Sequence, residues 1–181
     1  MYHIAFYKFT AITDVDAVVL RLRALTSDVL GSILVATEGI NGMLAGSAVQ
    51  LDGIELALQR DAAFGGAFDG TVFKRTACKT QPFKRMKVHA KAEIVPLGIA
   101  GVDAAGRTAD IARTNVSPAR WRELIRQPDV VLLDNRNSFE YRLGQFEGAI
   151  DPGVVNFRDF PEYVKAHAAQ WKAEHKKVAM Y

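Results

Sequence analysis

Residues 4–78 alternate short apolar segments with longer amphipathic ones. The strand-like segments are Ile4–Phe9, Ser32–Thr37, Met43–Ala45 and Gly70–Cys78, and the helical stripes are Val15, Val18, Val19, Leu22 and Leu25, then Leu51, Ile54 and Leu58. The strand-like segments are filled by apolar residues, whereas the apolar residues of the helical stripes follow the 3.6-residue period of a helix. The order strand, helix, strand, strand, helix, strand predicts a ferredoxin-like βαββαβ domain.

Local signals indicate where the helices and the hairpin begin. Thr13 with Asp16, and Ser47 with Gln50, have the spacing of a capping box and predict two helix starts. In Glu38–Gly42 the Asn-Gly pair tolerates positive φ and favours a tight hairpin turn. A loop that faces RNA is the alternative for the same residues.

A different pattern follows Pro82. Polar and apolar residues alternate from Lys87 to Lys91, which predicts a strand with one basic face. The next stretch is rich in Gly, Ala and Asp and has no long apolar period, so we interpret residues 96–114 as a linker. Residues 1–95 then form the ferredoxin-like domain together with its basic segment.

Residues 115–181 alternate helix and strand signals. Ser117 followed by Pro118 is a typical helix start. The four aliphatic residues Val130–Leu133 are typical of a central strand in a parallel sheet. Further on come a short helix at Ser138–Leu143, a helix marked by Phe160, Val164, Ala168 and Trp171, and a strand at Lys177–Tyr181. This alternation predicts a parallel α/β domain.

Composition is that of an ordinary globular protein. Of 181 residues, 49% are hydrophobic and 24% charged, and no apolar run approaches the roughly 20 residues that span a bilayer. Met1–Thr10 has no secretory signal pattern. Cys78 is the only cysteine, which excludes an intramolecular disulfide and a Cys-rich metal site. We therefore expect a cytoplasmic protein that does not associate with membranes.

Positive charge is concentrated in one segment. Seven of the 23 Lys and Arg residues lie between Gly70 and Ala92, where there is no Asp or Glu, so the rest of the chain is net acidic. Such an asymmetry favours a polyanionic partner, whereas a merely solvated charged surface is the alternative. The candidate RNA-binding residues are Lys84, Arg85, Lys87 and Lys91, with Lys74 and Arg75 before them.

Motifs for catalysis or metal binding are absent from the sequence. There is no P-loop, nucleophile elbow or His-Glu-x-x-His motif, and the four histidines lack ligand spacing, so we expect no metal. Asp134 and Arg136 follow the predicted Val130–Leu133 strand, at the end where open α/β sheets bind ligands. They are either supporting residues of a site or an ion pair that caps the strand.

Several blocks of sequence carry a family resemblance. Val131–Asn137, Glu140-Tyr141 and Gly144–Ile150 together resemble the opening motif of rhodanese domains. The other blocks are Glu38–Gly42, Pro82–Val88, Glu93–Gly98 and Phe157–Pro161. In this order, and over essentially its whole length, the chain resembles the rhodanese-type tRNA uridine hydroxylases.

The resemblance implies a ferredoxin-like domain followed by a rhodanese-like domain. Members hydroxylate ring position 5 of the wobble uridine of certain tRNAs, with molecular oxygen as co-substrate, and we expect no protein-bound cofactor. Their catalytic cysteine follows the strand that here ends at Tyr181, and Cys78 does not match it. We therefore expect a truncated rhodanese-like domain, no catalytic residue within residues 1–181, and tRNA held by its anticodon region.

Two other functions stay open at this point. A rhodanese-type sulfurtransferase would use the same fold and the same cysteine, although a small anion needs no long basic footprint. A non-catalytic RNA-binding module would fit residues 1–181 as they stand.

Overall fold

The computed structural model describes residues 1–98 and 115–181, which fall into two compact units. Residues 1–95 form the first unit, and the described residues from 96 onward form the second. Most of the predicted linker at 96–114, namely residues 99–114, lies outside the described residues.

The first unit is a five-stranded sheet with two helices. Its elements are β1 (Tyr2–Phe9), α1 (Val15–Leu25), β2 (Leu30–Ala36), β3 (Gly39–Gly46), α2 (Ala48–Arg60), a 3₁₀ turn (Ala62–Phe64), β4 (Phe73–Ala77) and β5 (Met86–Ala90). The strand order is β4-β1-β3-β2-β5, with β5 parallel to β2 and all other neighbours antiparallel. The first four strands and two helices confirm the predicted ferredoxin-like fold, and β5 extends its sheet by one edge strand.

One face of this sheet packs against α1 and α2. Ile4, Ile33 and Leu44 from three strands are fully buried in a core that also contains Leu22 and Leu51 of the helices. Burying each such side chain contributes roughly 1.5–3 kcal/mol. Because side chains alternate along a strand, this core also determines which residues point to the other face.

The two helices differ in how well their starts were predicted. Asp14, not Thr13, caps α1, since Oδ1 of Asp14 accepts a hydrogen bond of 2.9 Å from the backbone N–H of Ala17. A carboxylate at this position also interacts favourably with the positive end of the helix dipole. At α2 the predicted box is confirmed: Oγ of Ser47 accepts from N–H of Gln50 at 3.3 Å, and Oε1 of Gln50 accepts from N–H of Ser47 at 2.9 Å.

The hairpin between β2 and β3 turns at Thr37–Glu38. The prediction that the Asn-Gly pair forms this turn is wrong, because Asn41 and Gly42 lie inside β3. Gly42 has a packing role instead: a Cβ there would lie 2.4 Å from Cζ of the Phe6 ring. The Asn-Gly signal therefore reflected close packing rather than a turn.

The second unit alternates helices and strands. Its elements are α3 (Pro118–Leu124), β6 (Val130–Leu133), α4 (Ser138–Leu143), a 3₁₀ turn (Phe157–Asp159), α5 (Phe160–Ala173) and β7 (Lys177–Met180). β6 and β7 are parallel, and an isolated parallel bridge joins Leu133 to Ile150. The predicted parallel α/β character is confirmed for this part of the chain, and its rhodanese-like nature stays a prediction.

Both faces of the β6–β7 pair are covered. Leu133 packs with Phe160 and Trp171 in one apolar cluster, whereas Leu132 and Ala179 belong to another. Burial on both faces explains the uninterrupted aliphatic run of β6. Across the described ranges, no helix combines the length and apolar character needed to cross a membrane.

Candidate nucleic-acid interface

The predicted basic strand forms one edge of the first unit's sheet. Met86 and Val88 of β5 point into the helix-covered core, whereas Lys87 and His89 are exposed on the other side. Ser32 of β2 pairs with Lys87. The alternation predicted from the sequence is confirmed, and the apolar half of the strand fixes the direction of its basic half.

Four exposed cations lie in or next to β5, and we call them the basic edge: Lys84, Arg85, Lys87 and Lys91. None of them forms an ion pair with another described residue. The backbone is nevertheless fixed, since N–H of Lys91 donates to the carbonyl oxygen of Val35 at 2.8 Å. Their charges are therefore available for an anionic partner.

A cavity of about 540 Å³ opens beside the basic edge. It is lined by Gly31, Ser32, Pro82, Phe83, Lys84, Arg85 and Lys87. An aromatic ring among cations suits a nucleotide, because the ring can stack on the base while the cations contact phosphate. The volume lies in the usual range of small-ligand pockets, roughly 300–1,000 Å³.

Gly31 fixes the floor of this cavity. Its φ is +151°, and a Cβ there would lie 2.1 Å from the carbonyl oxygen of Met43, so no other residue fits without displacement. Its N–H donates to the carbonyl oxygen of Arg85 at 3.2 Å. The glycine therefore ties the start of β5, and with it Arg85, to β2.

A second cavity of about 480 Å³ lies between β5 and the end of α1. Arg85, Lys87 and His89 border it together with Arg23, whose Nη2 donates to the carbonyl oxygen of Val88 at 3.0 Å. Sequence reasoning missed Arg23 because it lies far from the basic segment in the chain. Only the packing of α1 on β5 brings it there.

Lys74 and Arg75 are neighbours in β4 and so point to opposite faces. Nη2 of Arg75 lies 2.7 Å from Oδ1 of Asp52 and 2.7 Å from Oε1 of Glu55, both on α2. Hydrogen bonds to Glu55 and then Asp52 raise the pKa of Arg75 above its ordinary value. Lys74 is exposed and has no ion pair among the described residues. Lys74, at the edge of the sheet opposite the basic edge, therefore keeps an uncompensated charge, whereas the charge of Arg75 is already compensated.

The Glu38–Gly42 segment holds the chain that follows β5. Oε1 of Glu38 accepts from N–H of Ile94 at 2.7 Å, and Nδ2 of Asn41 donates to the carbonyl oxygen of Ile94 at 3.1 Å. Both polar side chains are thus committed to the backbone of Ile94. This role favours the structural interpretation of the segment over an RNA-facing loop.

Asp134 and Arg136 form a bidentate ion pair at the carboxyl end of β6. Nε and Nη2 of Arg136 donate to Oδ1 and Oδ2 of Asp134 at 2.9 and 2.5 Å, and Nη2 also donates to the carbonyl oxygen of Gly144 at 2.8 Å. The hydrogen bonds from Arg136 hold the pKa of the buried Asp134 below its ordinary value. The pair therefore joins the end of β6 to the end of α4, which is the arrangement expected of an ion pair that caps the strand.

Aromatic rings surround this ion pair. The guanidinium carbon of Arg136 lies 5.1 Å from the ring centroid of Tyr181, and the Phe146 and Tyr181 rings meet edge-on at 4.8 Å. The Tyr181 hydroxyl accepts from N–H of Phe146 at 3.1 Å, and burial raises the pKa of Tyr181. These contacts restrain the Arg136 side chain beyond its ion pair.

Within residues 1–98 and 115–181, no three His, Cys, Asp or Glu side chains cluster as a metal site. Cys78 is a half-buried free thiol in the first unit. Its N–H donates to the carbonyl oxygen of Met1 at 3.1 Å, which ties the end of β4 to the start of the chain.

Comparison with known proteins identifies first a domain class and then a family. A family model described as the UPF0176 acylphosphatase-like domain matches residues 1–94. A tRNA uridine(34) hydroxylase of Bradyrhizobium diazoefficiens is 38% identical over 179 residues, which are 98% of this chain and 68% of that relative. The chain belongs to the tRNA uridine(34) hydroxylase family, and the family resemblance predicted from its sequence is confirmed.

Among solved structures, that of a bacterial light-regulated adenylyl cyclase aligns with 62% of this chain and 34% of its own. The TM-score is 0.36 and the sequence identity 14%. A likeness at this level carries no argument about function.

Proposed function

We propose that this protein takes part in tRNA modification as a uridine hydroxylase acting on position 34, the wobble position. The observation that carries the proposal is the relationship to a tRNA uridine(34) hydroxylase along 98% of the chain. The cations of the basic edge, which form no ion pair with the part of the chain that the structure describes, support a polyanionic substrate. A tRNA substrate also favours a cytoplasmic location.

In this proposal the first unit holds the anticodon region. Lys84, Arg85, Lys87 and Lys91 contact phosphates, with Lys74 contributing from the other edge of the sheet. Bases in the anticodon loop are unstacked more easily than those in a duplex, which makes them accessible to a modifying enzyme. The cavity beside Phe83 has the size and the lining to take one nucleotide.

The chemistry replaces the hydrogen on C5 of the uracil ring by a hydroxyl group. With molecular oxygen as co-substrate, one oxygen atom enters the product and the other leaves as water. The two electrons and two protons that this takes come from an external dithiol, which is oxidised to a disulfide. We propose no protein-bound cofactor, and we assign the catalytic cysteine to a rhodanese-like loop that follows Tyr181. Residues 1–181 alone are then expected to bind tRNA without hydroxylating it.

Asp134 and Arg136 have a supporting role in this scheme. Their bidentate pair, with the additional bond to the Gly144 carbonyl, holds the carboxyl end of β6 rigid. Loops at this end of a parallel sheet are where α/β proteins bind ligands. A fixed strand end would therefore position the loop that carries the cysteine.

Nucleoside mass spectrometry of tRNA from a strain that lacks the gene tests the proposal. The expected result is loss of 5-hydroxyuridine-derived nucleosides, restored when the complete gene is returned. Their persistence in the deletion strain would contradict the proposed hydroxylation. Loss of thiolated nucleosides instead would indicate a sulfurtransferase.

A further inference from the structure

The sheet face turned away from α1 and α2 carries exposed apolar side chains near its centre. Tyr7 of β1 is 55% exposed and Met43 of β3 is 44% exposed. The two residues lie on adjacent strands, since β1 and β3 pair with Ala5 opposite Met43. The Tyr7 ring also contacts Phe9 edge-on, with centroids 6.0 Å apart. Isolated exposed apolar residues are ordinary, but neighbouring ones form a patch where the described residues leave a sheet face open. At its hairpin end this patch is bounded by Ile94, whose carbonyl oxygen accepts from Asn41 opposite Tyr7.

One row of paired residues crosses this face from edge to edge. Lys74 of β4 pairs with Ala5, and Ala5 pairs with Met43. Met43 pairs in turn with Ser32, and Ser32 pairs with Lys87 of β5. With strands about 4.8 Å apart, the backbones of the two lysines are separated by about 19 Å. A cation therefore stands at each end of a row whose centre is apolar.

The described strands carry no acidic side chain on this side of the sheet. The residues that the described strands direct to this face include no Asp or Glu. Arg75, which is paired with acidic groups, lies on the helix-covered side. The row from Lys74 to Lys87 is therefore complementary to a polyanion, whereas the Glu38 carboxylate, bonded to N–H of Ile94, lies at the hairpin end of the face.

We propose that this face binds single-stranded RNA. One base stacks on the Tyr7 ring, a second lies against the Met43 thioether, and Lys74 and Lys87 contact the flanking phosphates. Through Ser32 and Lys87 the face is continuous with the cavity beside the basic edge. The inference rests on the proposed function, in which the partner is a tRNA loop, and it names the surface that receives the loop bases.

Physical chemistry favours this occupant over others. Stacking on an aromatic ring tolerates any base, and an open sheet that displays aromatic side chains is a known way to bind two or three unpaired bases. Methionine sulfur makes favourable contacts with aromatic rings. A second copy of the chain placed face to face would instead bring its own Lys74 and Lys87 onto an equally positive surface. The positive charge of the face therefore favours RNA over a second copy of the chain as its occupant.

The test measures binding of fluorescein-labelled oligouridylate to the 181-residue chain by fluorescence anisotropy. Tyr7→Ala should weaken binding by roughly 5- to 150-fold, the range for removal of one stacking ring, whereas Tyr7→Phe should retain most of it. Tyr2→Ala is the matched control, because Tyr2 lies in the same strand and points to the other face. Binding to an RNA duplex should not respond to Tyr7→Ala.

A second variant guards against misfolding. Met43→Glu changes an exposed side chain and places a negative charge at the centre of the row, so it should reduce oligouridylate binding at least as much as Tyr7→Ala does. Thermal unfolding by circular dichroism identifies the variants that remain folded. Unchanged oligouridylate affinity in folded Tyr7→Ala and Met43→Glu would overturn the inference. So would a change in oligomeric mass without a change in RNA binding, which would assign the face to a second copy.

The result is separable from the proposed function. Oligouridylate affinity of residues 1–181 is measured without any hydroxylation, and tRNA nucleoside content in a deletion strain is measured without this surface being altered. Binding that depends on Tyr7 alongside unchanged tRNA nucleosides would refute the hydroxylase and leave the RNA surface standing. Loss of the modified nucleosides in the deletion strain, together with oligouridylate binding that does not depend on Tyr7, would refute the RNA surface and leave the proposed hydroxylase function standing.

Discussion

Neutralising two lysines of the basic edge should reduce both the affinity for tRNA and its dependence on salt. Lys84→Gln with Lys87→Gln removes two charges from the wall of the cavity beside β5. Neither lysine has an ion pair within the described residues, so their removal leaves no carboxylate unpaired. The change therefore acts on binding rather than on the fold.

The salt dependence gives the magnitude. The basic edge and Lys74 supply five cations, and each phosphate contact contributes about −0.7 to −0.9 to the slope of log K against log salt concentration. Five contacts predict a slope of about −3.5 to −4.5, so that raising salt from about 50 to about 200 mM weakens binding by roughly 130- to 500-fold. With three contacts left, the same change weakens binding by only about 20- to 40-fold.

Anisotropy titrations of labelled tRNA at four salt concentrations measure this slope. The matched control is Arg122→Gln with Lys172→Gln, which removes the same charge from exposed positions of α3 and α5 in the second unit, where neither side chain has an ion pair among the described residues. That control should leave the slope within error of the wild-type value. An unchanged slope in the Lys84 and Lys87 variant, or an equal reduction in the control, would refute a localised phosphate-binding edge.

Two further predictions concern the scaffold. Gly31→Ala should destabilise the first unit by at least ~2 kcal/mol, because its Cβ would lie 2.1 Å from the Met43 carbonyl oxygen. Gly53→Ala, in the middle of α2 with nothing within 4 Å of its Cβ, should instead stabilise the unit by about 0.5–1 kcal/mol. Urea unfolding measures both free energies, and equal effects of the two substitutions would contradict the packing argument. Asp134→Asn should lower the stability of the second unit by about 1–3 kcal/mol at neutral pH. Since Arg136 lowers the folded-state pKa of Asp134 below the ordinary value near 3.8, the wild-type advantage should be present above that value and disappear as pH falls through the folded-state pKa; a constant difference in melting temperature across an acid titration would contradict it.

Sequence reasoning recovered what depends on local pattern. The alternation at Lys87–Lys91 predicted a strand with one basic face, and β5 has that face. Ser47 and Gln50 predicted a helix start that the hydrogen bonds confirm. In each case the signal and the structure involve residues close together in the chain, so pattern alone was sufficient.

What escaped prediction depends on contacts between distant residues. Arg75 reads like its basic neighbours, yet α2 brings Asp52 and Glu55 against it. Arg23 reads as a surface residue of α1, yet it reaches β5. Gly42 follows Asn41 and so has the pattern of a turn residue. Its actual role, leaving room for the ring of Phe6, depends on a neighbouring strand and is not visible in the local sequence. Such roles follow from sheet register and helix packing, which no local pattern encodes.

Ultraviolet cross-linking of the chain to tRNA, followed by mass spectrometry of the cross-linked peptides, tests the RNA-binding surface most directly. We predict cross-links in peptides that contain Tyr7, Phe83 and the residues around Lys87, since the two rings meet bases and Lys87 lines the same cavity as Phe83. Cross-links confined to α1, α2 or the second unit, with none on the open sheet face or the basic edge, would contradict the account.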